Sequence, residues 1–71
     1  MIKEMLFVGD KYLVDTEPKT DQPQKWEKMT YRYEVKNQHG LYFVFERNNG
    51  TLYATQLVAL DGKTELVKEI K

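Results

Sequence analysis

A regular alternation of apolar and polar residues is the feature that most limits how this chain can fold. Between residues 28 and 36 apolar side chains occupy every second position, at Met29, Tyr31, Tyr33 and Val35. Because successive side chains of a β-strand point to opposite faces, a period of two predicts a strand that is buried on one side. We therefore expect these four side chains to face the core and the polar residues between them to face water.

Turn-forming sequences divide the chain after this strand into short segments. Residues 37–40 (NQHG) predict a turn, residues 48–50 (NNG) predict a three-residue hairpin connection, and Asp61-Gly62 predicts a two-residue type I′ hairpin. The segments between these turns are expected to form a four-stranded antiparallel meander. Its predicted strands are residues 28–36, 41–45, 51–60 and 64–70.

Both ends of the chain are compatible with either strand or helix. Residues 64–70 favour a strand, and the alternative is two helical turns. The apolar face of that helix would hold Leu66, Val67 and Ile70. Residues 1–8 have the same two interpretations.

The chain before the alternating strand predicts a further strand and a long exposed loop. Residues 11–14 predict the strand, and residues 15–25 follow it with two prolines and no apolar side chain. Proline lacks the amide donor that the interior of a strand or helix needs. Residues 1–71 therefore predict a single small β domain of all-β class. We expect an antiparallel meander of five to six strands curled into an open SH3-like or OB-like barrel, with a short terminal helix as the alternative at either end.

Composition excludes several sources of stability and several cellular contexts. A chain of 71 residues supports one domain, and without cysteine neither a disulfide nor a thiolate metal site can support the fold. The 11 basic and 11 acidic residues form no like-charged block, which argues against a basic arm for nucleic acid. The apolar run at residues 5–8 is too short for a signal peptide, so we expect a cytoplasmic protein. A composition rich in Lys, Glu and Asn is typical of low-GC bacteria and their phages.

The residue types argue against catalysis. Serine and cysteine are absent, and the single histidine, His39, lies in the predicted turn before Gly40. One imidazole supplies neither a catalytic triad nor a histidine-based metal site. The acidic residues Asp15, Glu17 and Asp21 lack the spacing of a calcium loop and are interpreted as solvated. We expect no catalytic residue, no metal and no cofactor, so the chain is not predicted to be an enzyme.

The aromatic residues give the strongest indication of function. The chain has one Trp, five Tyr and three Phe, and residues 41–45 are apolar on both faces of their predicted strand. Aromatic side chains that the core cannot hold are common anchors of interfaces. We predict a non-enzymatic protein-binding module, an accessory factor or inhibitor of a larger bacterial or phage protein. The predicted partner-binding residues are Trp26, Tyr42, Val44 and Tyr53.

Other contacts are compatible with the same function. The 15–25 loop or an open strand edge could meet the partner, and the same edge or patch could instead make a homodimer. The sequence sets neither the identity of the partner nor whether binding inhibits, recruits or stabilises it.

Single-stranded nucleic-acid binding by an OB-like sheet is the alternative function. Bases would stack on tyrosines, and phosphates would meet the basic side chains around them. The residues predicted for this role are Lys28, Tyr31, Arg32, Tyr33, Lys36 and Arg47. Against this alternative, the alternation puts aromatic and basic side chains on opposite faces of one strand, and the net charge is zero.

Overall fold

Five antiparallel strands form one sheet in the computed structural model, which describes residues 1–18 and 23–70. The strands are β1 (Lys11–Asp15), β2 (Trp26–Asn37), β3 (Gly40–Glu46), β4 (Leu52–Thr55) and β5 (Val67–Glu69), and a 3-10 turn, η1, spans Lys3–Met5. Their order across the sheet is β4-β3-β2-β1-β5. The prediction of an all-β, antiparallel fold is confirmed. Because β4 and β5 lie at opposite ends of the sheet, the sheet is not closed, and the predicted barrel is not confirmed.

The last strand joins the sheet at a position that the sequence did not predict. We expected a meander in which the final strand follows residues 51–60 as its hairpin partner. Instead β5 pairs with β1, and the register includes Leu13↔Lys68 and Val14↔Val67. The predicted hairpin between the last two strands is therefore wrong, and β5 extends the sheet on the far side of β1.

The Asp61-Gly62 turn reverses the chain without starting a strand of the sheet. A type I′ turn needs positive φ at both central residues. Among the described residues only glycines have positive φ, so Asp61 does not have it and the predicted type I′ turn is wrong. The two arms of the turn pair through one isolated bridge, Val58↔Glu65. The segment then brings the chain to β1, where Val67 is fully buried. Burial of this side chain beside β1 explains why β5 leaves the predicted hairpin.

The other two predicted turns are hairpin connections of the sheet. Asn37 pairs with Gly40 at the β2–β3 turn, where a φ of +125° at Gly40 is readily adopted only by glycine. At the β3–β4 turn the Arg47 N–H donates to the Thr51 carbonyl at 2.8 Å across three intervening residues. The last of them, Gly50, has a φ of +86°. Both predictions are confirmed.

A β-bulge divides β2 into two parts. The first part pairs with β1 and, through Thr30 and Tyr31, also with β3, whereas the second part pairs with β3 alone. Arg32 is an extra residue between the pairs Tyr31↔Phe45 and Tyr33↔Val44. An inserted residue shifts the register by one and so turns the side chains that follow it to the opposite face of the sheet.

The bulge corrects the prediction for the alternating strand. Met29 and Tyr31 precede the bulge and are buried, whereas Tyr33 and Val35 follow it and are 47% and 40% exposed. The expectation that all four face the core is therefore wrong for Tyr33 and Val35. The alternation of residue types continues through Arg32, but the face that is buried changes there.

The core lies on one face of the sheet and combines side chains from four strands. Its buried residues are Tyr12, Val14, Met29, Tyr31, Phe43, Phe45 and Val67. Phe45 is fully buried, and its ring centroid lies 5.4 Å from that of Tyr31 and 6.3 Å from that of Tyr12. Aromatic pairs at such distances add to the stabilisation that comes from apolar burial. Phe45 therefore connects β3 to both β1 and β2.

Both ends of the chain lie against this core. The N-terminal segment forms η1 and packs Met1 and Leu6 against the core cluster. Of the two interpretations of the C-terminal segment, the strand is confirmed as β5. The described residues form no helix with the length and hydropathy of a membrane span.

Hydrogen bonds close the base of the β1–β2 connection. The Thr16 N–H donates to the Lys25 carbonyl at 2.8 Å. The carboxylate of Asp15, a residue that is 1% exposed, accepts from the Lys25 N–H and from the side-chain amide of Gln24, both at 3.2 Å. A buried carboxylate with several donors is held firmly in place. The middle of the predicted loop, residues 19–22, lies outside the described residues.

Candidate interaction surface

The second part of β2, together with β3 and β4, presents an apolar surface on the side of the sheet opposite the core. Directly opposed residues of antiparallel strands share a face. The register opposes these residues in the pairs Tyr33↔Val44, Val35↔Tyr42 and Val44↔Ala54. Leu52 shares the face of Ala54, two residues away in the same strand. We name this surface the outer apolar face; it consists of Tyr33, Val35, Tyr42, Val44, Leu52 and Ala54.

The outer apolar face is exposed around a buried centre. Leu52, Tyr33 and Val35 are 56%, 47% and 40% exposed, whereas Val44 in the middle strand is only 7% exposed. The three exposed side chains present surface on the order of 250 Å², which is slightly less than the largest apolar patch of a typical monomer. What distinguishes this surface is therefore the grouping of its apolar side chains on one side of three adjacent strands, and not its area.

An ion pair borders the outer apolar face. Arg32 Nη1 lies 3.5 Å from Glu46 Oε1, and Glu46 is directly opposed to Leu52 in the sheet. Exposed ion pairs contribute little to stability. A polar rim beside an apolar centre is, however, the usual anatomy of a protein–protein interface.

Two of the four residues predicted to bind a partner lie in this face. Tyr42 and Val44 are two residues apart in β3 and share its outer side. Tyr53 instead packs against the core cluster, and its hydroxyl donates to the Asp15 carbonyl at 3.4 Å. Burial raises the pKa of the Tyr53 hydroxyl, and the negative charge of Asp15 adds to the rise. The fourth residue, Trp26, lies in the other part of the sheet.

Trp26 lies beside basic side chains at the β5 end of the sheet. Lys68, Leu13 and Lys28 are opposed to one another across β5, β1 and β2, and we name these three residues the basic row. The Nζ atom of Lys68 lies 4.2 Å from the centroid of the Trp26 ring. A cation over an indole ring is a favourable contact, so one face of Trp26 is covered by an ammonium group of the same chain.

The residues predicted to bind nucleic acid are distributed over several surfaces. Tyr31 is buried in the core, whereas Tyr33 belongs to the outer apolar face. Lys28 lies in the basic row. Lys36 is exposed near the β2–β3 turn, on the face of the strand opposite Tyr33. The structure therefore does not bring these stacking and phosphate-binding groups to one groove.

Both arginines of that set are ion-paired. Arg32 contacts Glu46 as described above, and Arg47 donates to both carboxylate oxygens of Glu27, at 3.1 and 3.2 Å. The Arg47 guanidinium carbon also lies 5.4 Å from the centroid of the Tyr53 ring. A guanidinium that already serves a carboxylate in this two-pronged geometry is less available to a phosphate.

Sequence reasoning missed a second surface, of mixed apolar and charged residues, which lies along β5. Two open depressions there have volumes of about 570 and 340 Å³. Met5 and Glu69 line both depressions, Leu13 lines the larger one, and Phe7, which is 62% exposed, lines the smaller one. The apolar run at residues 5–8 was the available signal, because it lacks the alternation of a half-buried strand.

The described residues hold few groups that could support chemistry. Within residues 1–18 and 23–70, no three His, Cys, Asp or Glu side chains are grouped so as to hold a metal ion. His39 is exposed in the β2–β3 turn, where its Nε2 atom lies 3.3 Å from the Gln38 amide nitrogen. Of the acidic residues considered for a cation site, Asp15 is engaged at the loop base, and Asp21 lies outside the described residues.

Comparisons with known proteins found no match, so a function can be inferred only from the geometry of these surfaces. No family model, curated protein or solved structure matches this chain. Among the surfaces, the outer apolar face has two tyrosines, a continuous register across three strands and a charged rim. It is therefore the strongest candidate for a functional site.

Proposed function

We propose that this chain is a small non-enzymatic binding module whose outer apolar face docks on a protein partner. The observation that carries the proposal is the exposure of Tyr33, Val35 and Leu52 around Val44 on one side of the sheet. Burial of these side chains by a partner would remove apolar surface from water, which is the main driving force of association. The partner is expected to be a larger bacterial or phage protein that the module assists or inhibits.

The side chains of this face favour a protein partner over a small molecule. Tyr33 and Tyr42 each offer a large, stiff apolar ring and one hydroxyl, and such residues lose little conformational entropy when they are immobilised. They stand on a sheet, and a small ligand is usually held in a deep pocket rather than on a sheet face. A flat patch suits the surface of another protein better than a small ligand, and its area corresponds to the small, transient class of protein–protein contact.

The proposal also includes a specific fold, the SH3-like barrel, and a cytoplasmic location for the protein. An SH3-like barrel is supported by the connectivity, in which a four-strand meander is followed by a strand that returns to β1. The division of β2 between two neighbours also suits a sheet that folds over its own core. The lack of cysteine supports a cytoplasmic location.

Capture of a partner by a matched pair of variants tests the proposed function. Val35 and Glu34 are adjacent exposed residues on opposite faces of β2. Val35→Lys places a charge in the outer apolar face, whereas Glu34→Lys places the same side chain on the other side. We expect the wild-type chain and Glu34→Lys to recover one dominant protein from extracts of the native host, and Val35→Lys to recover at least tenfold less. Equal recovery by all three chains would contradict the proposed surface.

Single-stranded nucleic-acid binding remains the second candidate because the basic row sets Lys28 and Lys68 close to Trp26. It ranks second since both Arg32 and Arg47 are ion-paired with carboxylates. A mobility-shift titration with a single-stranded oligonucleotide at rising salt compares the two candidates. Protein binding predicts no shift at low salt. Micromolar binding that falls steeply with salt and is lost in Lys28→Glu would reverse the ranking.

A further inference from the structure

The two outermost strands of the sheet have different backbone edges. Directly before β4 the Thr51 carbonyl accepts from the Arg47 N–H, which sets the direction of the peptide groups that follow it. Because alternate residues of an antiparallel strand bond to the same neighbour, Tyr53 and Thr55 face β3. The N–H and C=O groups of Leu52 and Ala54 therefore point away from the sheet.

Apart from its length of only four residues, the edge of β4 lacks the features that usually protect an outer strand. Residues 51–57 (TLYATQL) contain no charged residue, no proline and no glycine. Leu52 is 56% exposed, and Ala54 is also exposed. Natural proteins usually place lysine, proline or a bulge at such an edge because outward N–H and C=O groups otherwise pair with another strand. An apolar edge without lysine, proline or a bulge is available for pairing with another strand.

We propose that β4 pairs antiparallel with the β4 of a second copy of this chain, which joins two sheets about a two-fold axis at Tyr53. In this register Leu52 is opposed to Ala54 of the second copy, and Ala54 is opposed to its Leu52. Both residues present their peptide groups outward, so each of the two pairs forms two hydrogen bonds. A two-fold axis makes the contact self-limiting, since each copy uses the same strand.

Self-complementarity of the edge favours a second copy as the occupant. The register sets the large Leu52 side chain against the small Ala54 side chain, and it opposes no charged residue to itself. At the β5 edge the Asp15 N–H donates to the Leu66 carbonyl at 2.8 Å, so Val67 and Glu69 point outward. A two-fold pairing there would oppose like charges in each register: Lys68 to itself when centred on Lys68, Glu69 to Glu65 when centred on Val67, and Glu69 to itself when centred on Glu69, which is unfavourable. The β4 edge fits a second copy, and the β5 edge does not.

The dimer would also extend the outer apolar face. Leu52 and Ala54 belong to that face and to the β4 edge, so pairing sets the two outer apolar faces side by side on one continuous sheet. The inference is separate from the proposed function, because it uses the backbone edge of β4 and leaves Tyr33 and Val35 open to a partner.

Measurements on the full chain alone test the dimer. We expect the mass from sedimentation or light scattering to rise from 8.5 kDa towards twice that value between micromolar and millimolar concentration. Amide exchange at Leu52 and Ala54 should slow at least tenfold over the same range. The amides of Tyr53 and Thr55, which already bond to β3, serve as internal controls. Monomeric mass throughout, or slowed exchange at Val67 and Glu69 instead, would overturn the proposal.

Variants distinguish a dimer that pairs through the two β4 edges from a dimer that packs through the two outer apolar faces. Ala54→Pro removes one outward N–H without touching the β3–β4 ladder, and we expect it to raise the dimer dissociation constant at least tenfold. Val35→Lys alters the outer apolar face away from the edge and should leave the dissociation constant unchanged. If Ala54→Pro fails to fold by circular dichroism, Leu52→Lys places a charge on the same edge and has the same expected effect. A dimer that resists the edge variants, or one that Val35→Lys dissolves, would overturn the proposal and leave partner capture as a separate question.

Discussion

The two halves of the sheet share one core but differ on their outer sides. In the first half, which consists of β5, β1 and the first part of β2, the outer side carries the basic row, and Lys68 covers Trp26. In the second half, the outer side is the outer apolar face, with Tyr33 and Leu52 about half exposed. The difference arises at Arg32, where one extra residue exchanges the inner and outer faces of β2. A single bulge can therefore move an aromatic side chain from a core to an exposed surface without any change in the local alternation of residue types.

The largest effect expected from this comparison is between Tyr31→Ala and Tyr33→Ala. The first residue is buried beside Phe45, and the second lies across the bulge on the outer side. We expect Tyr31→Ala to lower the free energy of unfolding by about 3–5 kcal/mol, the usual cost of removing a buried aromatic side chain. Tyr33→Ala should lower it by less than about 1 kcal/mol. Urea titration followed by circular dichroism measures both, and equal losses would show that β2 does not change faces at Arg32.

The next effect concerns Asp15, at the end of the first half. The two carboxylate oxygens of Asp15 accept from the Lys25 N–H and from the side-chain amide of Gln24. Asp15→Asn replaces one of these oxygens with an NH2 group, so a donor then faces one of the two donors. We expect a loss of about 1–3 kcal/mol in the free energy of unfolding. Glu17→Gln makes the same chemical change at an exposed residue of the same loop and should be nearly neutral. If the two variants lose equal stability in urea titrations, the carboxylate does not hold the loop base.

A smaller effect is expected in the basic row. Lys68→Met keeps most of the side-chain length but removes the ammonium group over Trp26, which should reduce stability by about 0.5–1 kcal/mol. The fluorescence of the single tryptophan should change as its indole loses the charge. Lys28→Met, in the same row, is the control and should leave the emission unchanged. If the tryptophan emission changes in both variants or in neither, the contact between Lys68 and Trp26 is not a specific feature of this half of the sheet.

The smallest effect lies in the segment that joins the two halves. The Thr64 hydroxyl, and then the backbone N–H groups of Thr64 and Lys63, lower the pKa of the Asp61 carboxyl below its ordinary value of 3.8. Since the folded pKa lies below the unfolded one, these bonds stabilise the fold above pH 3.8 and are lost as the pH falls through the folded pKa.

Urea midpoints at several pH values check this expectation. Asp61→Asn should lower the midpoint slightly at neutral pH, and its difference from the wild type should shrink as the medium is acidified below the ordinary carboxyl pKa. Asp10→Asn, at another exposed aspartate, is the control. A difference that grows on acidification would contradict the assigned hydrogen bonds.

Local patterns were enough to predict much of the fold. The alternation around Tyr31 and the glycines at the β2–β3 and β3–β4 turns act through neighbouring residues, so they indicated the strands and hairpins correctly. The partner of β5 could not be read in this way, because β1 and β5 are separated by about fifty residues and pair through burial of Val67 in the shared core. The Asp61-Gly62 sequence reverses the chain locally but does not decide which strand comes next.

The candidate site was predicted only in part for a related reason. Tyr42 and Val44 were expected to be partly exposed because β3 has bulky apolar residues on both faces; Tyr42 is partly exposed, but Val44 is buried in the middle strand. Tyr53 is half-buried on the core side of β4, and this strand of four residues is too short for a period of two to identify the buried side. Val35 and Leu52 were not expected in the site. Their positions depend on the register between strands and on the bulge at Arg32, which no single strand encodes.

The closed base of the β1–β2 connection makes it a convenient place for grafting a tag or reporter peptide. The hydrogen bond from the Thr16 N–H to the Lys25 carbonyl holds the two ends of the connection together. The bond that the Asp15 carboxylate accepts from the Lys25 N–H does the same, independently of the residues between the two ends. The number of inserted residues then affects folding mainly through loop-closure entropy, which costs only about 0.6 kcal/mol for each doubling of length. An insertion there would attach the chain to a surface or a probe through the end of β1, so that the strands β3 and β4 stay accessible.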